Sequence, residues 1–387
     1  MWFMQLSSKF RFYWPLILCV AILMAILIAF LAPYSGNSTA LFHMDIPTAA
    51  TQPLPKPFIV LRVPGYDGMH YYRIARRIPL LFTQAGREEL SHSSTFAYAY
   101  QRFSLPFLAY ILALGMPAAL PFSFLFIQLV SLLGTCWLLL YYRCPPLYAL
   151  ALALSPAAIL GLHFSLAEPL TLFLLTAFLL RYLSRVSIDW LQVLLLSLLV
   201  LTREVNIFLV IFLLVFTVLK KNRSRPLLLL VPFGVFLVWH FVIYAIFHEI
   251  PFLWSVDKRA FPLSAILGIL VHPEGYNYKT ITSIAVFFAF FLPALCLLSY
   301  DFFRRPRLDL LLLGSLFFLA IMSTMPDYIW GSVTSIGRVI TPVYPFTILY
   351  AAQRNDWAAK GLAVGILCLG LFTALGLSLV VHPFTVF

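Results

Sequence analysis

The sequence predicts an all-α, polytopic membrane protein, and three observations carry that reading. Of its 387 residues, 62% are hydrophobic and only 10% charged, and a soluble fold of this length could not hide so much apolar surface. Apolar runs of bilayer-crossing length recur from Trp14 almost to the last residue. Basic residues collect in alternate connectors, as the positive-inside rule requires. The expected architecture is a single transmembrane domain over residues 1–387, a bundle of about ten spanning helices. It has a large first outer loop at 34–104, holding short juxtamembrane helices, and a second outer loop at 249–280.

The elements follow in order. Residues 1–12 are short and basic, with Lys9 and Arg11, and the run from Trp14 to Ala32 is too long for the core of a cleavable signal peptide. It reads as an uncleaved first helix with its N-terminus in the cytoplasm. The stretch 34–102 is the most polar in the chain. Pro47, Pro53, Pro55, Pro57 and Pro64 argue against a continuous helix in its first half. A helical pattern starts near Met69, and Ala85–Thr95 reads as a polar loop. Asn37-Ser38-Thr39 matches a glycosylation sequon, too short a pattern to carry weight.

Apolar segments then occupy about 105–115, 120–142, 147–161, 166–183, 190–202, 204–219, 226–247, 281–299, 309–323, 337–351 and 359–381. Arg143, Arg181, Arg185, the run KKNRSR at 220–225, RRPR at 304–307, Arg354 and Lys360 fall on one side, expected to be cytoplasmic. The turns around His163 and Arg203 and the stretches 249–280 and 324–336 fall on the other, with loop 34–104. The segment 105–115 is too short to span and reads as re-entrant or interfacial. Segments 190–202 and 204–219 are also short and meet at Thr202-Arg203-Glu204. No internal repeat is visible, which disfavours an inverted-repeat transporter.

The net charge of +12 follows from this topology. Without a soluble basic domain there is nothing to hold nucleic acid, and that partner is excluded. Cys19, Cys136, Cys144, Cys296 and Cys368 are scattered through apolar segments without CxxC pairing and read as small buried hydrophobes.

Charged side chains near hydrocarbon are costly unless paired or wet, so each is a functional candidate. Five sets fall on the outer face: Asp67 with its neighbours, Gln101-Arg102, His163 with Glu168, Arg203-Glu204, and Arg338. The bland alternative is that these charges pair to lock helix ends, most plausible for Arg203-Glu204. Asp67 lies between Gly65 and Gly68, beside Tyr66, His70, Tyr71, Tyr72 and Arg73. That setting fits a tight turn, since Asp tolerates the left-handed region and Gly supplies positive φ. It equally fits a general base facing an anionic substrate, because the following helix places His70, Arg73 and Arg77 on one broad face. The arginines would hold phosphate bidentately, and the tyrosines would stack on a sugar or an isoprenoid chain. His70 could share a divalent ion with Asp67, but no DxD, HExxH or Cys/His cluster supports a metal site. No glycine-rich phosphate loop is present, so no nucleotide site is expected.

One span followed by a large outer loop with an acid in a YDG setting resembles the GT-C superfamily of integral-membrane glycosyltransferases. GYDGMHYYRIARR is similar to the WDGxxYxxIA pattern of the PIG-V-like mannosyltransferase branch and to YDGxxYY in bacterial relatives. AYQRFSLPFLAYILALG resembles the bacterial YQRxxxPxLA continuation, and HFSLAEPL the Glu-containing turn of that branch. LTRE at 201–204 and GRVITPVYP at 337–345 fit later Arg-bearing positions. The resemblance implies a GT-C-like bundle in a bacterial inner membrane with its site facing the periplasm, acting on a polyprenyl-phosphate-linked sugar. Asp67 would be the catalytic base in an inverting transfer. Arg102, Arg203 and Arg338 would hold the donor phosphate, and Glu168 would position substrate or an arginine. Tyr66, His70, Tyr71, Arg73, Gln101 and Glu204 complete the expected substrate-binding set. Loop 249–280, with Trp254, His272 and Tyr276, would recognise the acceptor. The chain departs from the pattern in Ala167, where Ser is usual, and in lacking the acidic pair that some relatives carry. The alternatives are a flippase or transporter of a lipid-linked precursor, and an acyl- or phosphotransferase using His70 or His163 as base.

Overall fold

A computed structural model describes residues 2–50, 54–91, 95–185, 188–220, 226–251, 261–271, 281, 284–304, 309–330, 333–380 and 383–386. Of the second expected loop, Trp254, His272 and Tyr276 lie outside the described residues, as do 221–225 and 305–307 of the basic connectors.

The protein is a helical bundle with one small sheet. Among the described residues, six helical stretches are long and apolar enough to cross a membrane: Tyr13–Tyr34, Pro117–Tyr141, Pro146–His163, Leu227–Phe247, Ile284–Arg304 and Trp357–Ser378. Trp190–Thr202, Glu204–Leu219 and Leu310–Ser323 are shorter apolar helices. Large apolar side chains stand exposed along these helices, including Ile17, Ile28, Phe122, Phe126 and Phe241. A solvent of lipid explains such a surface, and water does not. The protein is therefore an integral membrane protein.

The long helix α1 (Trp2–Leu31) runs into the first loop, which is built from a 3-10 turn at Ser38–Phe42, α2 (Ile46–Ala50), strand β1 (Ile59–Leu61), α3 (Asp67–Arg77), α4 (Gln84–Ser91) and α5 (Thr95–Tyr100). Helix α4 occupies Gln84–Ser91, where the sequence suggested a loop over Ala85–Thr95; residues 92–94 lie outside the described residues. The Thr83 hydroxyl accepts from Gly86 N, and Gln84 bonds Glu88 one turn on, so capping and an i,i+4 pair carry a helix that hydropathy does not signal. The short segment at 105–115 is α6 (Ser104–Leu112), about 14 Å long and unable to span. Then come α7 (Leu120–Tyr141), α8 (Pro146–Ala153), α9 (Pro156–His163), α10 (Glu168–Ser184), α11 (Trp190–Thr202), α12 (Ile207–Leu219), α13 (Leu230–Phe247), α14 (Ser264–Val271), α15 (Leu292–Arg304), α16 (Leu310–Ser323), α17 (Asp327–Trp330), α18 (Val333–Val339), α19 (Val343–Arg354) and α20 (Trp357–Ser378).

The centre of the bundle is the α8–α9 pair, 89% of which is enclosed by α1, α7, α10, α19 and α20. Between membrane helices apolar burial gains little over lipid, so close backbone approach at small residues holds the packing. At Gly370 a Cβ would lie 1.7 Å from the Leu154 carbonyl oxygen, so only glycine lets α20 seat against the α8–α9 break. Cys19 and Cys136 are buried as expected. Cys144 is half-buried, while Cys296 and Cys368 are exposed; an apolar face turned to lipid is exposed without being wet.

After α20, strand β2 (Phe384–Val386) returns to pair antiparallel with β1, and Phe384 packs edge-on against Tyr34 just beyond α1. This ladder is an exception to the all-α expectation. It places the far end of α20 beside the far end of α1, at what we call the loop end of the bundle.

Candidate active site

The five predicted patches converge at the loop end, and their charged side chains form a ring of alternating sign. Asp67 Oδ2 accepts from Arg102 Nη1 and from Arg338 Nη2, each at 2.7 Å. Arg338 Nε donates to Glu168 Oε1 at 3.0 Å, and Arg203 Nη1 donates to the same oxygen at 2.9 Å. Arg203 is joined by its peptide bond to Glu204, whose carboxylate takes a two-pronged contact from Arg102, at 3.0 Å from Nε and 2.9 Å from Nη2. That closes the circle: three carboxylates and three guanidiniums, with each neighbour of opposite sign. Arg203 and Glu204 pair in opposite directions around it.

Local structure explains how each member arrives. Asp67 opens α3 behind Tyr66, whose backbone is extended (φ −131°, ψ 172°), and an acid suits a helix N-terminus. The turn expectation is corrected here, because neither Gly65 nor Gly68 has positive φ. The glycines serve close approach: a Cβ on Gly68 would lie 2.2 Å from the Phe164 carbonyl oxygen, and one on Gly65 2.9 Å from that of His43. Gly68 thereby lets α3 press onto the 164–167 turn that leads into Glu168. Asp45, which the sequence reading passed over, steadies the approach by accepting from Gly65 N and Thr48 N. Glu168 begins α10, Arg203 sits in the extended break between α11 and the Glu204–Asn206 turn, and Arg338 lies in the last turn of α18.

The ring is dry on most sides. The side chains of Glu168, Arg102, Arg203, Arg338 and Glu204 are 0%, 4%, 6%, 9% and 9% exposed, and that of Asp67 is 32%. Burial alone would raise the pKa of Asp67, but Arg338 and then Arg102 outweigh it and hold the carboxyl well below the usual range. Burial pushes His70 below the ordinary imidazole value, against the pull of Asp67. The Tyr71 hydroxyl is pushed up to about 12 by burial and has no hydrogen-bond partner among the described residues.

The other expected residues divide. Tyr66 joins the ring, its hydroxyl 3.3 Å from Arg338 Nη1 and its ring face under that guanidinium at 5.4 Å. Gln101 is buried next to Arg102, and neither end of its amide is bonded among the described residues. Arg73 feels Arg77, Tyr100 and Asp45. His163 packs edge-on against Phe30 and Phe164 and tilted against His43, a setting that gives no support to a role as base. Tyr98 was missed: its hydroxyl accepts from Arg102 Nη2 at 2.6 Å, and its ring lies 4.9 Å from the guanidinium carbon. Its place one helical turn before Arg102 was the available signal. Among the described residues no three His, Cys, Asp or Glu side chains gather as a metal site, since an arginine separates each pair of ring acids.

A separate cavity of about 400 Å³ lies between α4 and α13, lined by Gln84 and Arg87 from α4 and by Phe241, Val242, Ile246 and His248 from α13 and its C-terminal end. Helix α13 links it to the ring, as the Trp239 indole donates to the Tyr100 carbonyl.

No family model matches the chain, no curated protein matches its sequence, and no solved structure matches its fold.

Proposed function

We propose that the protein is an inverting membrane glycosyltransferase that uses a polyprenyl-phosphate-linked sugar, with Asp67 as general base. The observation that carries the reading is the ring: six ionisable side chains from five distant segments, packed together, with one carboxylate left partly open. Both arginine contacts fall on Asp67 Oδ2, which leaves Oδ1 for an acceptor hydroxyl. In the reaction the acceptor oxygen attacks the anomeric carbon opposite the phosphate, and its proton passes to Asp67. The bond from that carbon to the phosphate oxygen breaks with its electron pair on the phosphate, where the guanidiniums of Arg203 and Arg338 stabilise the growing charge. The products are the inverted glycoside and the polyprenyl phosphate.

Positive-inside asymmetry argues that the loop end faces the outside, in a bacterium the periplasm. Helix α11, with 13 residues, is about 20 Å long against a hydrocarbon core of about 30 Å. With its Asp189 end at the cytoplasmic surface, the ring would sit below the outer surface, within reach of a donor phosphate entering from the lipid. The same depth favours the second reading, a flippase or transporter, because ionisable groups within the slab also suit a translocation path. The deciding experiment supplies the purified protein with polyprenyl-phosphate sugars and follows transfer to an acceptor. Transfer by the native protein and its loss in Asp67→Asn is the expected result. Full activity in that variant sinks the mechanism, and precursor flipping in liposomes without transfer selects the alternative.

A further inference from the structure

A carboxylate held by two guanidiniums is a poor proton acceptor, so the resting ring is not yet a working base. We propose that Arg338 is a lock on Asp67, and that an entering monoanionic phosphodiester opens it by drawing the Arg338 guanidinium onto its own oxygens. The proposal rests on the phosphate-linked reading of the site and adds how that site is switched on.

The geometry identifies which arginine moves. Arg102 grips Glu204 with two prongs, bonds the Tyr98 hydroxyl and lies against its ring, so it is fixed. Arg338 spends single contacts on three different acceptors, Glu168, Tyr66 and Asp67, the Tyr66 contact being long at 3.3 Å. It has no bidentate partner to lose. The foothold for the ligand is Arg203. Its Nη1 serves both Glu168 and the Arg338 carbonyl, while its buried Nε has no partner among the described residues, nor is any bond made there by Nη2. The Nε–Nη2 edge of a guanidinium is the fork that matches two phosphate oxygens. Arg203 and Arg338 both donate to Glu168 Oε1, so their guanidiniums are neighbours, and an anion drawn to the fork approaches Arg338 as well.

Charge balance supplies the consequence. The ring is neutral, so an added anion leaves one negative charge in excess in a largely dry site, an unfavourable state unless it is compensated. Asp67 is the most exposed of the three carboxylates and the one losing a guanidinium, so it becomes the proton acceptor. Asp67 faces Arg338 from α18, Arg102 from the α5–α6 junction and His70 on its own helix. Tyr66, Tyr71 and Tyr98 stand beside the guanidiniums, with Glu168 and Glu204 beyond them. The Ser38–Phe42 turn, α6 and α7, also packed on α3, carry no charged residue. The free protein keeps Asp67 ionised at working pH. The complex holds a proton more tightly, so anion binding takes up a proton and strengthens as pH falls.

The test uses dihexadecyl phosphate, a non-transferable monoanion, titrated into detergent-solubilised protein at pH 6 in buffers of different ionisation enthalpy. The heats report the protons taken up. Expected are measurable uptake by the native protein and none by Asp67→Asn. Arg203→Lys should bind about tenfold more weakly, losing the fork while keeping the charge. Absence of binding or of uptake in the native protein overturns the lock, as does uptake surviving in Asp67→Asn. Should Asp67→Asn fail to fold, Arg338→Lys replaces it and must show reduced uptake, or the lock is wrong. Uptake without sugar transfer from any polyprenyl-phosphate donor defeats the transferase reading and leaves the lock standing; transfer without uptake does the reverse.

Discussion

The two ends of the bundle use the same residue types for different purposes. At the end opposite the loop, acids cap helices and pair with near neighbours. Asp189 caps α11 in a capping box with Gln192 and bonds Arg181 eight residues away. Asp309 caps α16, and Asp356 caps α20 while bonding Arg354 two residues away. Arg354 also reaches Asp301, 53 residues off, the exception in that group. The ion-paired side chains of Arg181, Asp189, Asp301, Arg354 and Asp356 are 16–34% exposed. In the ring at the loop end the ion-paired partners are 35 to 271 residues apart, no ring acid but Asp67 is appreciably exposed, and no ring acid lends its side chain as a helix cap. Short-range, wet pairs end helices. Long-range, dry ones cost desolvation that stability alone does not require, and there a site is the better explanation.

That contrast can be broken by substitution. The largest effect should come from Asp67→Asn, which should lower transfer by at least about a thousandfold, within the span attributed to general bases. Asp356→Asn at the other end should leave the rate unchanged, since Asn still caps. A comparable rate loss in both variants would erase the distinction. Next, Glu168→Gln takes its carboxylate partner from buried Arg203 and one of two from Arg338 and should destabilise by about 3–5 kcal/mol, read as a fall in melting temperature in detergent. Asp189→Asn should cost less than about 1 kcal/mol. Gly68→Ala, which drives a methyl into the Phe164 carbonyl, should cost about 1–3 kcal/mol and lower transfer by moving α3. The smallest effect belongs to Tyr98→Phe, which keeps the ring under Arg102 and removes one hydrogen bond, about 0.5–1.5 kcal/mol; a loss as large as that of Glu168→Gln would show that Tyr98 does more than hold Arg102.

Much of the site was legible because hydrophobic context makes a charge conspicuous. Asp67, Arg102, Glu168, Arg203, Glu204 and Arg338 stand out against apolar segments, and charge asymmetry put them on one face before any coordinate was known. Their order around the ring was not legible, since which arginine meets which acid depends on helix packing across hundreds of residues. Tyr98 was hidden because a tyrosine near a membrane surface has an ordinary explanation as an interfacial anchor. The glycines flanking Asp67 pointed to a turn because conformational freedom is the commoner reason for glycine. Close approach leaves no local signature, and neither does the capped, weakly apolar α4. The β1–β2 ladder eluded the reading for the same reason, since its two halves are each three residues long.

That ladder also sets an order of assembly. The bond from Arg62 to Thr385 spans 323 residues, so β1 emerges early in synthesis and waits for α20 to be inserted before it meets β2. Contacts so distant along the chain form late. Chains that have not yet inserted α20 would thus leave β1 without its antiparallel partner, and the ladder closes only after the helices it joins are in place.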